Sequence, residues 1–174
     1  MQAIVLRYGH RPIRDERVTT HCCLVARAFG ADKIFIHGPE DKTIIQTINT
    51  ISEKWGSGFS AEFTDSWKTV MAEFKKKGFK TIHLTMYGLQ LGKEIKKIRK
   101  MKKVLVIIGS QKVEREVYEQ SDLNISITNQ PHSEIAALSV FLHELFSGKE
   151  KKFKKAELKI TPTNKGKKII KTKK

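Results

Sequence analysis

Short apolar segments alternate with helix-like segments along most of this chain, and that alternation constrains its fold more than any other feature. Residues 104–108 (Val-Leu-Val-Ile-Ile) are apolar without interruption, as in strands of a parallel sheet that are buried on both faces. Roughly six such strands are each followed by a segment with helical periodicity. This regular alternation predicts an α/β fold, with helices on both faces of a parallel sheet.

The predicted elements alternate from the amino terminus onward. Glycines end several of the helices, as at Gly30 and Gly78, and the arginine-rich residues 7–17 are expected to form an irregular connection. The predicted strands span residues 4–6, 33–36, 59–63, 81–86, 104–108 and 123–127. The predicted helices span residues 18–29, 41–55, 66–77, 92–101, 114–120 and 135–146.

The last part of the chain differs from the rest in composition. Residues 149–174 hold 12 lysines but only two glutamates. Residues 157–161 and 167–171 have β-like patterns on either side of a turn that contains proline and glycine. We therefore expect one domain at residues 1–150 and a basic β-hairpin or tail at residues 151–174. Such a tail either binds a polyanion or only solubilises the chain.

The charge of the chain favours a polyanionic partner. The formal net charge is +16 and the pI is about 9.9, which suits nucleic acid or an anionic membrane surface. No apolar run reaches the roughly 18 residues needed to cross a bilayer, so no membrane-spanning segment is expected. No secretory leader is expected, because the first strand turns polar at Arg7, and a cytoplasmic location is the expectation.

Motifs of several common enzyme classes are absent from the sequence. It contains no Gly-x-Gly-x-x-Gly dinucleotide loop, no P-loop and no Gly-x-Ser-x-Gly nucleophile turn. The six histidines show no metal-ligand spacing with Cys22 and Cys23, so no metal site is expected. Adjacent positions on a helix do not face each other, which favours both cysteines as buried apolar filler.

Three predicted strands end in loops of the kind that hold ligands. Residues 128–134 follow the strand at residues 123–127 and lead into a helix, and similar loops lie at residues 84–88 and 109–113. The carboxyl ends of parallel strands meet at one edge of a sheet, and ligands bind in the crevice there. The sequence therefore predicts a single site built from three loops.

Three segments of the chain resemble a known class of enzymes. They are Leu-Arg-Tyr-Gly-His-Arg-Pro-Ile-Arg-Asp-Glu-Arg-Val-Thr-Thr-His at residues 6–21, His-Leu-Thr-Met-Tyr-Gly at residues 83–88 and Asn-Gln-Pro-His-Ser-Glu at residues 129–134. In this order they resemble the SPOUT class of RNA methyltransferases. Within that class they look like the archaeal family that methylates the 2′-oxygen of cytidine 56 in tRNA. The resemblance covers about residues 1–150, whereas the tail matches only in being basic and β-type.

The resemblance implies a SPOUT-type, Rossmann-like parallel sheet with a carboxy-terminal trefoil knot, extended here by the basic β-hairpin. It implies S-adenosyl-L-methionine as the cofactor, held by the knotted loops in a bent pose, and tRNA as the substrate. It also implies a homodimer whose active site draws on both subunits. Chain threading is rare among folds, and no periodicity in this sequence indicates it.

The three loops supply the expected cofactor-binding residues. Leu84 offers an apolar wall, Gly109 permits close backbone approach, and Pro131 stiffens the last loop. The alternatives are structural: Leu84 as core, Gly109 as a turn residue and His132 as a hydrogen-bonding group. The full expected set is Leu84, Gly109, Ser110, Gln111, Lys112, Val113, Ile127, Thr128, Asn129, Gln130, Pro131, His132, Ser133 and Glu134.

Arginines and histidines cluster just after the first predicted strand, and lysines fill the tail. A guanidinium grips phosphate in a fork geometry that lysine cannot copy, so this cluster is expected to bind RNA together with the tail. The expected RNA-binding residues are Arg7, His10, Arg11, His21, Lys165, Lys167 and Lys168.

The resemblance also places an arginine of the partner subunit at the ribose hydroxyl. Better-known relatives carry an asparagine and, six residues later, that arginine, but Val18 and Leu24 occupy these places here. We therefore expect the catalytic arginine to be Arg17 or, as second choice, Arg14; the alternative is that both only bind phosphate. With a pKa above roughly 12, arginine is too weak a base to act unaided, so it would orient the hydroxyl or stabilise developing charge.

Two other functions fit the sequence less well. One is a SPOUT enzyme that methylates a base, which residues 6–21 disfavour because no base-reading set accompanies their arginines. The other is a non-catalytic RNA-binding module that relies on the basic tail, which the three ligand-type loops disfavour.

Overall fold

A six-stranded parallel sheet forms the centre of the molecule. The computed structural model describes residues 1–56, 58–109, 112–149, 151 and 153–172. The strands of the sheet are β1 (Gln2–Tyr8), β2 (Lys33–His37), β3 (Ser60–Thr64), β4 (Lys80–Gln90), β5 (Lys103–Gly109) and β6 (Leu123–Ser126). Their order is β3-β2-β1-β5-β4-β6, and every neighbouring pair is parallel. The predicted parallel α/β fold is confirmed.

Helices cover both faces of this sheet. In the described part of the chain they are α1 (Pro12–Ala28), α2 (Lys42–Trp55), α3 (Trp67–Lys76), α4 (Leu91–Ile98), α5 (Arg115–Gln120) and α6 (Glu134–Leu145). Helices α1, α2, α4 and α6 share one core with the sheet, and α3 and α5 share the other. Among these described helices, none has the length and apolar character needed to cross a membrane.

The central strands are buried on both sides. In β1, Ala3 and Val5 pack in the core under α1 and α6, whereas Ile4 and Leu6 pack in the core under α3. Strand β5 divides its side chains between the two cores in the same alternating way. A strand with helices on both faces has no solvent side, which is why its sequence is apolar throughout.

Helix α1 begins at Pro12, well before its predicted start. Proline suits the first helical position, because the N–H that it lacks would have no partner there. Arg11 at the N-cap provides no capping side-chain bond, but its Nε lies 2.9 Å from Oδ2 of Asp15, one turn along the helix. The expectation that residues 7–17 form an irregular connection is therefore wrong, since most of that segment is helical.

Strand β4 is interrupted where it pairs with β6. Leu84 and Leu89 both align with Ile125, so residues 85–88 leave the ladder; we call these residues the β4 bulge. A Cβ at Gly88 would lie 2.5 Å from backbone atoms of β6. Only a residue without a side chain therefore fits where the bulge crosses the neighbouring strand.

The carboxy-terminal residues form an antiparallel pair of strands that packs beside α2. Strand β7 (Leu158–Ile160) pairs with β8 (Ile169–Lys171). The backbone N–H of Glu157 donates to the carbonyl of Lys54 at 3.0 Å, and the Arg27 guanidinium lies 4.0 Å from the centre of the Phe153 ring. These contacts attach the basic end of the chain to the body of the protein.

Gly88→Ala should destabilise the fold. The added methyl group would meet backbone atoms and not a movable side chain, so β4 or β6 would have to shift at a cost of about 1–3 kcal/mol. Urea unfolding followed by circular dichroism measures this loss. Gly92→Ala is the matched control. Nothing lies within 4 Å of the Cβ that this substitution adds, so the urea midpoint of this variant should not fall. Equal midpoints for the two variants would contradict the close crossing at Gly88.

Candidate functional site

A cavity of about 310 Å³ lies at the carboxyl edge of the sheet. The bulge of β4, the ends of β5 and β6 and the first turn of α6 line it. The sequence predicts a site at this edge, but residues 84–88 lie within β4 and not in a loop after it. The residues that line it are Leu84, Thr85, Met86, Ile108, Gly109, Ile127, Pro131, His132, Ser133, Glu134 and Ala137.

Half of the expected cofactor-binding residues lie in the wall of this cavity. They are Leu84, Gly109, Ile127, Pro131, His132, Ser133 and Glu134. Sequence reasoning did not select four other lining residues, namely Thr85, Met86, Ile108 and Ala137. Thr85 and Ile108 are next to selected residues, Met86 is two positions from Leu84, and Ala137 is one helical turn from Ser133, so closeness to the selected residues was the available signal.

The remaining residues of the expected set lie elsewhere. Val113 packs against the core on the opposite face of the sheet, whereas the others with a described position are exposed and outside the lining. The exposed residues are Lys112, Thr128, Asn129 and Gln130. Ser110 and Gln111, which were also expected to bind the cofactor, fall outside the described residues.

The cavity wall combines apolar surface with a few polar groups. Leu84, Ile108 and Ile127 supply apolar contacts, and Glu134 supplies a carboxylate. Small-molecule sites typically have this make-up and volumes of roughly 300–1,000 Å³. At the end of β5, Gly109 presents no side chain to block a ligand.

Asn129 joins two walls of the cavity without lining it. Its side-chain Nδ2 donates to the carbonyl of Met86 at 2.7 Å and to Oγ of Ser126 at 3.2 Å, and the carbonyl of Gly88 lies 3.4 Å away. Met86 and Gly88 belong to the β4 bulge, and Ser126 ends β6. One amide therefore fixes the bulge relative to the loop after β6.

The start of α6 forms a third wall. Ser133 is the N-cap, and its Oγ accepts a hydrogen bond from the backbone N–H of Ala136 at 3.2 Å. Just before it, Nδ1 of His132 makes a 2.8 Å hydrogen bond with the carbonyl of Gln130. The partial positive charge of the helix N-terminus is therefore directed to the cavity side.

Arg7 lies beneath this wall with a side chain that is fully buried. Its Nη2 lies 3.5 Å from Oε1 of Glu134 and 3.8 Å from Oδ2 of Asp15. Its Nε and Nη1 have no hydrogen-bond partner among the described residues. The guanidinium charge is therefore balanced by two carboxylates, one at the start of α6 and one in the first turns of α1.

Asp15 is shared between two arginines. Its carboxylate accepts from Nε of Arg11 at 2.9 Å and from Nη2 of Arg11 at 3.0 Å, while Arg7 faces the same group. Burial acts to raise the pKa of Asp15, but the hydrogen bonds from Arg11 and the charges of Arg11 and Arg7 outweigh it, so the pKa lies below the ordinary value. The carboxylate is therefore ionised at neutral pH.

Exposure divides the expected RNA-binding and catalytic residues. Arg7 and His10 are buried, so the expectation that they contact RNA is not met. Ion pairs with Asp15 and Glu134 hold the Arg7 side chain inside the protein. The His10 side chain is held by a contact of 2.8 Å between its Nδ1 and Oγ1 of Thr19. The expected catalytic residues Arg14 and Arg17 are exposed on α1. The expected RNA-binding residues with exposed or partly exposed side chains are Arg11, His21, Lys165, Lys167 and Lys168.

Sequence reasoning missed a polar contact between β1 and the start of α5. The hydroxyl of Tyr8 donates to Oε1 of Glu114 at 2.8 Å. Burial, and then the hydrogen bond and charge of Glu114, raise the pKa of Tyr8 to about 12, so the phenol remains protonated. Tyr8 aligns with Gly109 of β5, and its hydrogen bond links the end of β1 to the N-cap residue of α5.

The two cysteines are free and buried. Burial raises the pKa of the Cys22 thiol and of the Cys23 thiol to about 12, so both remain protonated and pack as small apolar groups. Within the described residues, no group of three or more histidine, cysteine, aspartate or glutamate side chains could hold a metal ion.

Comparison with known proteins adds sequence relatives of nearly full length. The model of the family described as "tRNA ribose 2'-O-methyltransferase, aTrm56" matches residues 55–170. A tRNA (cytidine(56)-2'-O)-methyltransferase from Methanopyrus kandleri is 45% identical over 170 residues, covering 97% of this chain and 96% of that protein. The protein of the same name from Pyrococcus abyssi is 49% identical over 178 residues, covering 98% of this chain and 88% of that protein.

Solved structures share the fold at much lower identity. The SpoU methyltransferase AviRb from Streptomyces viridochromogenes, solved in complex with the cofactor AdoMet, superposes with a TM-score of 0.63 at 14% identity. The match covers 84% of this chain and 57% of that one. At this identity the likeness concerns the arrangement of strands and helices only.

Asp15→Asn should destabilise the protein, because it leaves the buried Arg7 charge without one of its two carboxylates. Breaking a buried ion pair from one side costs about 3 kcal/mol, measured as the change in unfolding free energy at pH 7. The pKa of Asp15 is lowered in the folded state, so its contribution is present above the unfolded value of roughly 3.9 and is lost as the pH falls below it.

The matched control for this prediction is Glu119→Gln. Glu119 pairs with Arg115, whose side chain is 91% exposed, and exposed pairs contribute little to stability. If Asp15→Asn and Glu119→Gln unfold at the same midpoint at pH 7, the buried pair around Arg7 is not a stability determinant.

Proposed function

The chain belongs to the tRNA ribose 2′-O-methyltransferase family, and from this membership we propose its reaction, its site and its assembly. It is an S-adenosylmethionine-dependent enzyme that methylates the 2′-oxygen of cytidine 56 in tRNA. One observation carries the assignment of the site: the β4 bulge, the end of β5 and the loop between β6 and α6 line a cavity of about 310 Å³ at the carboxyl edge of the sheet.

The cavity residues hold the cofactor by shape and charge. Bound S-adenosylmethionine supplies an electrophilic methyl group on a positively charged sulfur. Leu84, Ile108 and Ile127 are placed to contact its flat adenine ring, and the carboxylate of Glu134 complements the positive charge. Asn129 keeps these walls at a fixed separation, and the apolar residues exclude water from the site.

An exposed arginine of α1 acts on the ribose hydroxyl. A hydroxyl is a poor nucleophile, so it must be aligned with the methyl group while its proton leaves. Arg17, or Arg14 one turn earlier, donates hydrogen bonds that orient the hydroxyl and stabilise the negative charge that develops on its oxygen. Since guanidinium remains protonated, it does not itself take the proton. The proton would pass to water as the ribose oxygen bonds to the methyl group and the bond from sulfur to methyl breaks, which leaves a neutral thioether.

A homodimer completes the site. Ile13 on α1 is fully exposed and Val140 on α6 is partly exposed, and α1 and α6 pack against each other. Apolar side chains on two adjoining helices suit burial against a second copy of the chain. In that arrangement the α1 arginines of one subunit serve the cavity of the other, and light scattering measures the assembly.

The basic carboxy-terminal residues contribute to tRNA binding. Lys165, Lys167 and Lys168 are exposed in and beside the segment that joins β7 to β8, and Arg11 and His21 present further positive or polar groups on α1. Phosphate contacts by such side chains supply most of the affinity for nucleic acid without reading its sequence. The division into a methyltransferase domain at residues 1–150 and a basic extension at residues 151–174 belongs to this proposal.

A trefoil knot in the last third of the domain and a cytoplasmic location complete the proposal. The resemblance to knotted methyltransferases supports the knot, and the break in the β4–β6 ladder with the close approach of Gly88 to β6 is consistent with it. The proposed tRNA substrate supports the cytoplasmic location.

Transfer to a defined tRNA tests the function. The protein should incorporate labelled methyl groups into an unmodified tRNA transcript, and nuclease mapping should place the label at cytidine 56. A transcript that carries 2′-deoxycytidine at that position lacks the acceptor oxygen and should remain unlabelled. Label on the deoxy transcript would instead indicate base methylation.

Arg17→Ala should lower the rate of methyl transfer by about 100- to 1,000-fold, the range seen when one donor to a developing oxyanion is removed. Its affinity for S-adenosylmethionine, measured by calorimetry, should be unchanged, because the arginine acts on the other reactant. Arg14→Ala is tested in parallel to decide between the two candidates.

Arg115→Ala is the control for these arginine variants, since it removes an exposed guanidinium from α5 and should retain full activity. Full turnover in both Arg14→Ala and Arg17→Ala would move the catalytic role away from α1.

Replacing Lys165, Lys167 and Lys168 by alanine should weaken tRNA binding and flatten its dependence on salt. Each phosphate contact contributes a slope of about 0.7–0.9 in log K against log salt, so losing three contacts should reduce the slope by roughly 2–3. Filter binding of tRNA at salt concentrations from low to moderate measures this slope. The control replaces Lys76, Lys100 and Lys102, which are exposed elsewhere. If the two triple variants show equal salt slopes, the carboxy-terminal lysines do not contact tRNA phosphates and the tail only solubilises the chain.

A further inference from the structure

The β4 bulge presents an exposed aromatic side chain beside the cavity. Tyr87 is 75% exposed, and the two residues before it, Thr85 and Met86, line the cavity wall. We propose that the Tyr87 ring is a stacking platform for an unstacked nucleobase of the RNA substrate. The proposal rests on the proposed function and deepens it by assigning a nucleobase-binding residue next to the cofactor site.

The backbone that carries Tyr87 is fixed on both sides. Asn129 holds the carbonyls of Met86 and Gly88, and Gly88 lies against the backbone of β6. The Thr85 hydroxyl lies 3.5 Å from the N–H of Tyr87 and 3.1 Å from the hydroxyl of Tyr118. A large exposed ring on a flexible loop would lose entropy on binding, whereas this one is already positioned.

The chemistry around the ring favours a nucleobase. Gln90, Gln130 and His132 are exposed near the bulge and the loop that Asn129 ties to it, and amide and imidazole groups hydrogen-bond to base edges. The net charge of +16 attracts a polyanion. An aromatic platform with polar neighbours is how proteins hold single-stranded or extruded bases.

The proposed reaction would benefit from such a platform. When a nucleotide leaves the stack of a folded RNA so that its ribose hydroxyl can enter the cavity, stacking energy is lost, and a protein ring can recover it. Stacking of one base on an aromatic side chain recovers energy of that order. Because Tyr87 follows two cavity-lining residues in the chain, a base stacked on it brings its own sugar to the cavity.

Kinetics of three variants test this role. Tyr87→Ala should raise the KM for tRNA by about 10- to 100-fold, while the KM for S-adenosylmethionine changes less than about twofold. Tyr87→Phe keeps the ring and should stay within about threefold of the unaltered protein. Leu89→Ala is the matched control, because Leu89 is also apolar and exposed on β4 but has no ring, and its kinetics should be unaltered.

A fluorescent cytidine analogue at the target position reports stacking without requiring transfer. Its fluorescence should be quenched when the unaltered protein or Tyr87→Phe binds the RNA, and the quenching should be lost in Tyr87→Ala. Quenching without any methyl transfer by the unaltered protein would overturn the proposed function and leave the platform intact.

Two results would overturn the platform. One is a Tyr87→Ala variant with unaltered KM for tRNA and unaltered quenching. The other is conversion of that variant to a smaller assembly in light scattering, which would assign the Tyr87 ring to the contact with a second copy of the chain.

Discussion

Burial of the Arg7 guanidinium at the end of β1 is the constraint on which the arrangement of this site depends. A buried charge left without partners costs several kcal/mol, so carboxylates must reach it. Asp15 of α1 and Glu134 of α6 supply them. The first turns of both helices are therefore held at fixed positions over the carboxyl edge of the sheet, and Glu134 is at the same time part of the cavity wall.

This one charge connects the two halves of the proposed chemistry. Asp15 also binds Arg11, and the exposed Arg14 and Arg17 lie on either side of Asp15 on the same helix. The ion pairs of Arg7 thus fix two things at once. They set the orientation of the α1 surface that carries the arginines and the orientation of Glu134 in the cavity. If α6 moved, the ion pairs of Arg7 would transmit the change to α1. This coupling needs no direct contact between Arg14 or Arg17 and the cavity.

The sequence predicted those features that local patterns determine. The apolar run of β5 and the periodic helices indicated the parallel sheet, and strand-end loops indicated the cavity. The start of α1 was not predicted, because a proline at N1 and the Arg11–Asp15 pair replace the usual capping signal. The burial of Arg7 was not predictable either, since one of its partners is 127 residues away along the chain and a charged side chain is usually exposed.

The β4 bulge shows why the sequence predicts where the cavity lies but does not predict its shape. A strand that leaves its ladder and returns with Leu84 and Leu89 on the same partner residue has no distinct local periodicity. Its existence depends on Gly88, which permits contact with β6, and on Asn129, whose amide replaces the missing ladder bonds. The same departure from the sheet makes room for a ligand and turns Tyr87 outward, so the geometry that forms the cavity also forms its rim.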